Sequence, residues 1–299
     1  NDLMVYKEDS IYSLTYTGGT FTFALRERFK DVGLFSRDSV VQIGNNEHVL
    51  ISTNDVVKHN GTTMTSVIDD QVRTYLFSQI DSTSASKTFL VHNKVKNEVW
   101  ICYPKTNALN GFPDETLIWN YRDNTWSKRD LPNVNYIAKG VVNPALANTW
   151  VASSTTWASD TLKWAQQPYN PTTDSLLMCG TNDTKFYLAD SGITFNGVGI
   201  NSYLERVGLH AGNPSGVKSI TKVFPRFEGT GTVNISIGAE LTANAGVSYS
   251  TPVAFTIGTD SEVDCRVRGR YIAIKVENTT GNQFNMSGFS VESEVVSDR

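Results

Sequence analysis

Thr116-Leu117-Ile118-Trp119-Asn120-Tyr121-Arg122-Asp123-Asn124-Thr125-Trp126-Ser127-Lys128-Arg129-Asp130-Leu131-Pro132 is the stretch on which the fold turns. Leu117, Trp119 and Tyr121 alternate with Ile118, Asn120 and Arg122, the period of two that a pleated strand imposes. Asp123-Asn124 brings side chains that bond their own backbone and tolerate a left-handed conformation, so the chain turns there. Thr125 and Trp126 begin a return strand, and Pro132, which cannot donate to a ladder, stops it. A strand–turn–strand unit with two tryptophans that pack one sheet on the next predicts a modular β protein if it recurs.

It recurs in weaker form. Leu3–Tyr6 and Ile11–Tyr16 flank a polar turn at residues 7–10, and Ser39–Ile43 and His48–Ser52 flank Gly44-Asn45-Asn46-Glu47. Val56–His59 leads into Asn60-Gly61, the pair that a two-residue type I′ hairpin turn demands. Phe89–His92 and Glu98–Tyr103 form another hairpin, so His92 to Trp126 reads as one complete four-stranded sheet. Between these lies one helix, Ile68 to Ile80, capped by Asp69, with Val72, Leu76 and Gln79 on one stripe. Residues 26–38 are a mixed stretch with a turn at Gly33, and residues 145–171, with Trp150, Trp157 and Trp164, have no clear pattern. Hairpins at intervals of roughly forty to fifty residues point to propeller blades, with an open twisted sheet as the alternative.

Beyond residue 200 tryptophan disappears and the alternating runs lengthen, at Lys218–Glu228, Thr232–Gly238, Pro252–Ile257, Val263–Arg268, Arg270–Val276 and Met286–Glu294. Period-2 runs of this kind predict a β-sandwich. The expected fold is therefore all-β, a β-propeller-like repeat of short antiparallel hairpins over residues 1–199 followed by a β-sandwich-like domain over 200–299.

Composition narrows the function. The chain has 299 residues, 39% hydrophobic and 19% charged, which is globular and too apolar for disorder. A formal net charge of −4 argues against gripping nucleic acid through a basic surface, but not against surrounding DNA. The 3 cysteines, Cys102, Cys179 and Cys265, are odd in number and widely spaced, matching neither a disulfide framework nor a zinc site and pointing to reduced thiols in a reducing cytoplasm. No apolar run is long enough to span a bilayer, so no membrane insertion is expected. The chain opens at Asn1-Asp2 without an initiator Met, one residue before a strand-like run, and reads as a fragment.

Chemistry-bearing residues do not assemble into a motif. Asp123-Asn124-Thr125-Trp126 is similar to the aspartate box of sialidase blades but lacks its spaced glycine and leading serine. Asp69-Asp70 and Asp114-Glu115 are adjacent pairs, read as a helix cap and a solvated loop, not as carboxylates converging on a glycosidic bond. His48, His59 and His92 flank hairpin turns, where half-exposed imidazoles are expected, and with His210 they show no HxH or HExxH spacing. Arg266, Arg268 and Arg270 read as a solvated strand face. The sequons at Asn60, Asn182, Asn234, Asn278 and Asn285 would matter only in a secreted chain. No catalytic, cofactor-binding or metal-ligating residue is assigned, no cofactor is expected, and the chain is expected not to be an enzyme.

Several stretches taken in order resemble the tail nozzle, or tubular tail hub (head-stabilisation), proteins of short-tailed podovirus-type bacteriophages. They are Leu3–Tyr12 with Val32-Gly33 and Val40-Val41; Asp55–Gly61 leading to Val67–Phe77; Glu98–Pro104 with Trp119–Tyr121 and Trp126–Pro132; and Tyr203–Leu209, Gly269–Ala273 and Met286–Phe289. The resemblance implies a structural virion protein of the tail, assembled in the bacterial host cytoplasm. It implies a ring-forming homohexamer that joins a portal or head-tail adaptor protein to tail needle or tail fibre proteins, with DNA passing through the lumen unbound during ejection. The alternative is a carbohydrate-binding or glycan-depolymerising β-propeller on the tail surface.

Overall fold

The structure is a computed structural model that describes residues 3–141, 174–181, 184–195, 197–242 and 246–297. The chain divides into two compact units, Asn1–Asp190 and Ser191–Arg299. It is all-β, as expected, built from small antiparallel sheets. The patternless stretch with Trp150, Trp157 and Trp164 lies outside the described residues.

The first unit opens with β1 (Leu3–Tyr6), β2 (Ser10–Tyr16) and β3 (Phe23–Lys30), hydrogen-bonded in that order. Register sets Leu3, Leu14 and Leu25 in one row and Tyr16 opposite Phe23. The opposite face, with Met4, Tyr6, Ile11 and Phe29, packs on Leu50 and Val57 of the next sheet. Gly33 lets the chain leaving β3 lie against the β1–β2 turn, because a β-carbon there would sit 2.1 Å from the Glu8 carbonyl carbon. β3 occupies part of the stretch read as mixed. Its Arg26-Glu27-Arg28 run is exposed throughout, so no alternation marks it.

β4 (Val40–Gly44), β5 (Glu47–Ile51), β6 (Val56–His59) and β7 (Met64–Ser66) form the first four-stranded sheet, ordered as in sequence. Asn60-Gly61 does not make the expected type I′ turn. Positive φ occurs at Gly61 alone, and Asn60 Oδ1 instead accepts from the backbone N–H groups of Thr62 and Thr63, closing a longer loop. Helix α1 (Asp70–Gln79) follows, capped as expected by Asp69, whose Oδ1 accepts from Val72 N at 2.8 Å.

The second four-stranded sheet comprises β8 (Phe89–Asn93), β9 (Glu98–Tyr103), β10 (Glu115–Asn120) and β11 (Thr125–Asp130). Strands β8, β9 and β10 are buried almost end to end, on both faces, whereas β11 is mostly wet. One face, with Leu90, Val99, Ile101, Tyr103, Leu117 and Trp119, shares a core with Val49, Ile51 and Val56 of the first sheet and Leu76 of α1. On the other face Phe89 meets Tyr136, ring centroids 5.0 Å apart, in β12 (Val134–Val141). β12 pairs with β13 (Asp174–Gly180), and β13 with β14 (Phe186–Leu188). Successive hairpin sheets stacked face to face are the propeller-like repeat.

The second unit begins with the two-stranded pair β15 (Thr194–Phe195) and β16 (Val198–Gly199). Its larger sheet joins β17 (Ser202–Leu209), β23 (Tyr271–Asn278), β19 (Thr232–Glu240), β20 (Ser248–Tyr249) and β21 (Val253–Thr256). The smaller sheet is β22 (Val263–Gly269), β18 (Val217–Gly229) and β24 (Phe284–Ser297). Ile220, Val223 and Val263 from one sheet and Val233, Ile235, Ile237, Ile272, Ile274 and Val276 from the other fill a common core, which makes the unit sandwich-like. Lys218 is buried at its end, where its ammonium donates to the carbonyls of Asn213, Gly216 and Arg270, so the charge is solvated by backbone.

The tryptophans of the opening stretch divide in role. Trp119 is buried and Trp126 half-buried, stacked at 6.1 Å between centroids and 23° between planes. Trp119 Nε1 donates to Asn124 Oδ1 at 3.1 Å, tying the ring to its own turn. Trp119→Ala is expected to cost about 3–5 kcal/mol in chemical denaturation, as for a fully buried aromatic. Trp126→Ala should cost about 1–2 kcal/mol, since only part of its area and the stacking are lost. Equal losses would mean that both rings anchor the core.

Candidate functional site

The β10–β11 hairpin brings together the groups that sequence kept apart. Register places Trp119 opposite Trp126, Leu117 opposite Lys128 and Glu115 opposite Asp130, and the period of two puts all six on one face. Helix α1 lies against this face and contributes Tyr75. The result is a strip with Trp126, Lys128 and Asp130 at the surface and Glu115 beneath.

Glu115 corrects the reading of Asp114-Glu115 as a solvated loop. It begins β10 and is 2% exposed. Its Oε1 accepts from the hydroxyls of Tyr75 at 2.8 Å and Tyr103 at 2.5 Å, and its Oε2 lies 3.3 Å from Lys105 Nζ. Burial alone would push this carboxyl up. The two phenols and the charges of Lys105 and Lys128 outweigh it and hold the group below the usual carboxylate range. Lys105 also reaches Asp130 at 3.6 Å, and Lys128 Nζ donates to Tyr75 Oη at 3.1 Å.

Asp114 behaves in the opposite way. Half-buried, it is raised by desolvation, although its Oδ1 accepts from the Lys105 backbone N–H at 2.8 Å. Neighbouring carboxyls driven apart in pKa are a common acid–base signature. Here Asp114 precedes the strand that Glu115 begins, and the two share Lys105, Asp114 accepting from its backbone N–H and Glu115 pairing with its ammonium. Glu115 and Asp130 do face one another, with Glu115 buried and Asp130 at the surface with Lys128 and Trp126.

The histidines also differ from the half-exposed expectation. His59 is 2% exposed and His92 is buried, while His48 is half-buried. His59 stacks on His48 at 5.2 Å and 9°, and its Nδ1 accepts from Gly61 N at 3.2 Å. That leaves the proton on Nε2, which donates to Tyr6 Oη at 3.0 Å. Burial, with the neighbouring His48, pushes His59 down to about 4. His92 bonds Tyr121 Oη at 3.1 Å and is lowered by burial, then by Lys139.

Other candidates fall where structure explains them. Asp69 caps α1, and Asp70 pairs with Arg73 at 2.8 Å. Asp123 is an exposed loop residue whose N–H bonds Asn120 Oδ1. Arg266 and Arg268 are exposed on β22, while the Arg270 carbonyl serves Lys218. Asn278 is buried and bonds Asn282 and Thr280. Cys102, Cys179 and Cys265 are free, the first buried and pushed up to about 12 by desolvation. Among the described residues no three acids, histidines or cysteines group to hold a metal, and no helix is long and apolar enough to cross a membrane.

No family model matches the chain, and no curated protein does. Among solved structures it is similar to the exo-β-1,3-galactanase of Phanerochaete chrysosporium with β-1,3-galactotriose, at 10% identity and a TM-score of 0.25, over 95% of this chain and 75% of that one. The same enzyme with galactose matches at 9% identity and 0.16, over 98% and 68%. A glycoside hydrolase matches at 11% and 0.20, over 96% and 66%. These neighbours are all glycoside hydrolases, and the expectation that the chain is not an enzyme is withdrawn. The physical reason is that a hairpin-sheet scaffold hosts sites with and without chemistry, so missing motifs decide nothing. At TM-scores this low, no substrate or residue role passes from them to this chain.

Two pH limbs follow from the buried groups. Unfolded His59 takes a proton near pH 6.5, but folded His59 does so only near 4, so stability should fall as pH drops between these values, by about 3 kcal/mol. His59→Asn should flatten that window. Glu115, depressed in the fold, stabilises above the ordinary carboxylate range, and this is lost as pH falls through its folded value. Glu115→Gln should remove only this lower limb. Urea titrations across pH read both, and identical profiles for variants and wild type would refute the assignment.

Proposed function

We propose that the chain is a structural virion protein of a short-tailed bacteriophage, part of the tail tube or nozzle. It joins the portal side to the tail tip and offers a path for DNA ejection. Copies would form a hexameric ring against a portal or head-tail adaptor protein, with tail needle or fibre proteins beyond, after assembly in the host cytoplasm. The observation that carries this reading is the outward face of the β1–β3 sheet. Leu3, Tyr16, Phe23 and Leu25 lie exposed there in adjoining rows, with Phe21 in the connecting loop. An apolar surface of that kind on a folded unit marks a contact with another protein. The resemblance of stretches through both units to tail nozzle proteins supports it further. The net charge of −4 suits a conduit, because an acidic lining lets DNA slide where a basic one would hold it by counterion release.

A second reading, a carbohydrate-binding or glycan-depolymerising propeller on the tail surface, is favoured by the β10–β11 strip. Trp126, Lys128 and Asp130 line one face of β11, an aromatic ring followed by two exposed polar groups of the kind a ligand surface uses.

Mass photometry and negative-stain microscopy of the chain, alone and with its portal-side partner, separate the two. Rings of uniform size support the tail-tube reading. A chain that stays monomeric with the partner and binds or cleaves glycans on an array, losing this on Trp126→Ala or Asp130→Asn, establishes the second.

A further inference from the structure

Among the outer strands that are wet on both faces for most of their length, β17 balances Glu205 with Arg206, whereas β3 and the last part of β24 each carry a one-sided charge. β3 is the outer strand of the β1-β2-β3 sheet and β24 of the β22-β18-β24 sheet. An outer strand presents backbone N–H and C=O groups as a template for another strand. Both strands are also apolar and wet, with Phe23 and Leu25 each 56% exposed, Val295 55% and Val296 51%. Their charges are opposite. β3 carries Arg26, Arg28 and Lys30 against the lone Glu27, whereas β24 carries Glu292 and Glu294 and no cation.

We propose that β3 of one copy pairs antiparallel with β24 of a second copy, in the register that sets Arg26 opposite Glu294. That register also sets Leu25 opposite Val295, between a bulge at Arg28 in β3 and one at Val296 in β24, and it opposes no like charges. A slip of one pleat in one direction keeps a charge pair, Arg26 with Glu292, but sets Leu25 against Ser293. A slip in the other brings Arg28 to Glu294 only across the Arg28 bulge and sets Leu25 against Ser297 and Arg26 against Val296. Arg28 already donates to Ser13 Oγ at 2.7 Å through Nε, so Arg26 and Glu294 are the diagnostic pair. Charges on an edge strand ordinarily discourage pairing. Opposite signs on two different edges instead select the partner edge and reject β3 against β3 or β24 against β24.

This deepens the tail-tube reading and rests on it for the existence of a self-contact. Sedimentation velocity of the full chain over a wide concentration range tests it. Arg26→Glu and Glu294→Arg are each expected to weaken self-association about tenfold or more, one like-charge contact being worth about 1.4 kcal/mol. Both residues are exposed, and unchanged thermal melts would show that folding is intact. An equimolar mixture of the two variants should regain wild-type association, because each supplies the charge that the other's edge lacks. Leu25→Lys should weaken association without being rescued by mixing. Association that neither reversal alters, or a mixture no tighter than its parts, overturns the edge pairing and leaves assembly through another surface standing. A chain monomeric at every concentration, with or without its portal-side partner, overturns both.

Discussion

A sheet buried on both faces governs the first unit. Strands β8, β9 and β10 have water on neither side, so every residue along them must be apolar or fully partnered. The runs Phe89-Leu90-Val91 and Val99-Trp100-Ile101-Cys102 meet the first condition, and Thr116, with its hydroxyl near Cys102 Sγ, meets the second. Such a sheet cannot stand alone. It needs the β4–β7 sheet and α1 on one side and the β12–β14 sheet on the other, so stacking is imposed by burial before any specific contact is made. β11 escapes the constraint, and it is the strand that carries exposed Lys128 and Asp130.

Glu115 shows what burial costs at the end of such a strand. An ion taken out of water is a poor source of stability compared with a packed leucine, and removing one of its partners leaves an uncompensated charge. Its effect is positional. Two phenols and an ammonium, from α1, β9 and the loop after β9, converge on one carboxylate, so the helix has one seating angle on the sheet. His59 does the same between the β1–β3 sheet and the β4–β7 sheet, with both ring nitrogens committed. The unit is thus apolar in its cores and fixed in orientation by a few saturated polar groups at the seams.

The hairpins, the helix with its Asp69 cap and the long strands of the second unit were legible because turn residues and period two are local signals. Three things were not. β17 is wet on nearly its whole length and β3 is wet except at Ala24 and Phe29, so neither shows alternation. Asp114-Glu115 and the turn-flanking histidines looked like surface chemistry, because burial of a charged or polar residue is decided by partners far along the chain. Asn60-Gly61 had the right residues for a two-residue turn, yet the Asn60 carboxamide captured two backbone donors and lengthened the loop. Only the buried carboxylate and histidines were hidden by tertiary partners; the strands were hidden by exposure and the turn by a local side-chain bond. The candidate strip on β10–β11 was invisible for the first of these reasons, since Glu115 and Asp130 meet only through register.

Edges complete the argument. Small sheets leave many outer strands, and a chain built this way must either cover them or use them. A contact between two different edges of opposite charge is heterologous unless the reciprocal pair of edges also meets, because each copy otherwise keeps one edge free to receive a third. Such contacts close into rings when the rotation per copy divides the circle and otherwise grow into filaments. A single edge meeting its own copy would oppose like charges, as the run bearing Arg26, Arg28 and Lys30 does, whereas β3 and β24 each find an opposite charge on the other. The charge pattern therefore selects which edges meet, and the rotation between copies decides whether the result is a closed pair, a ring or a filament.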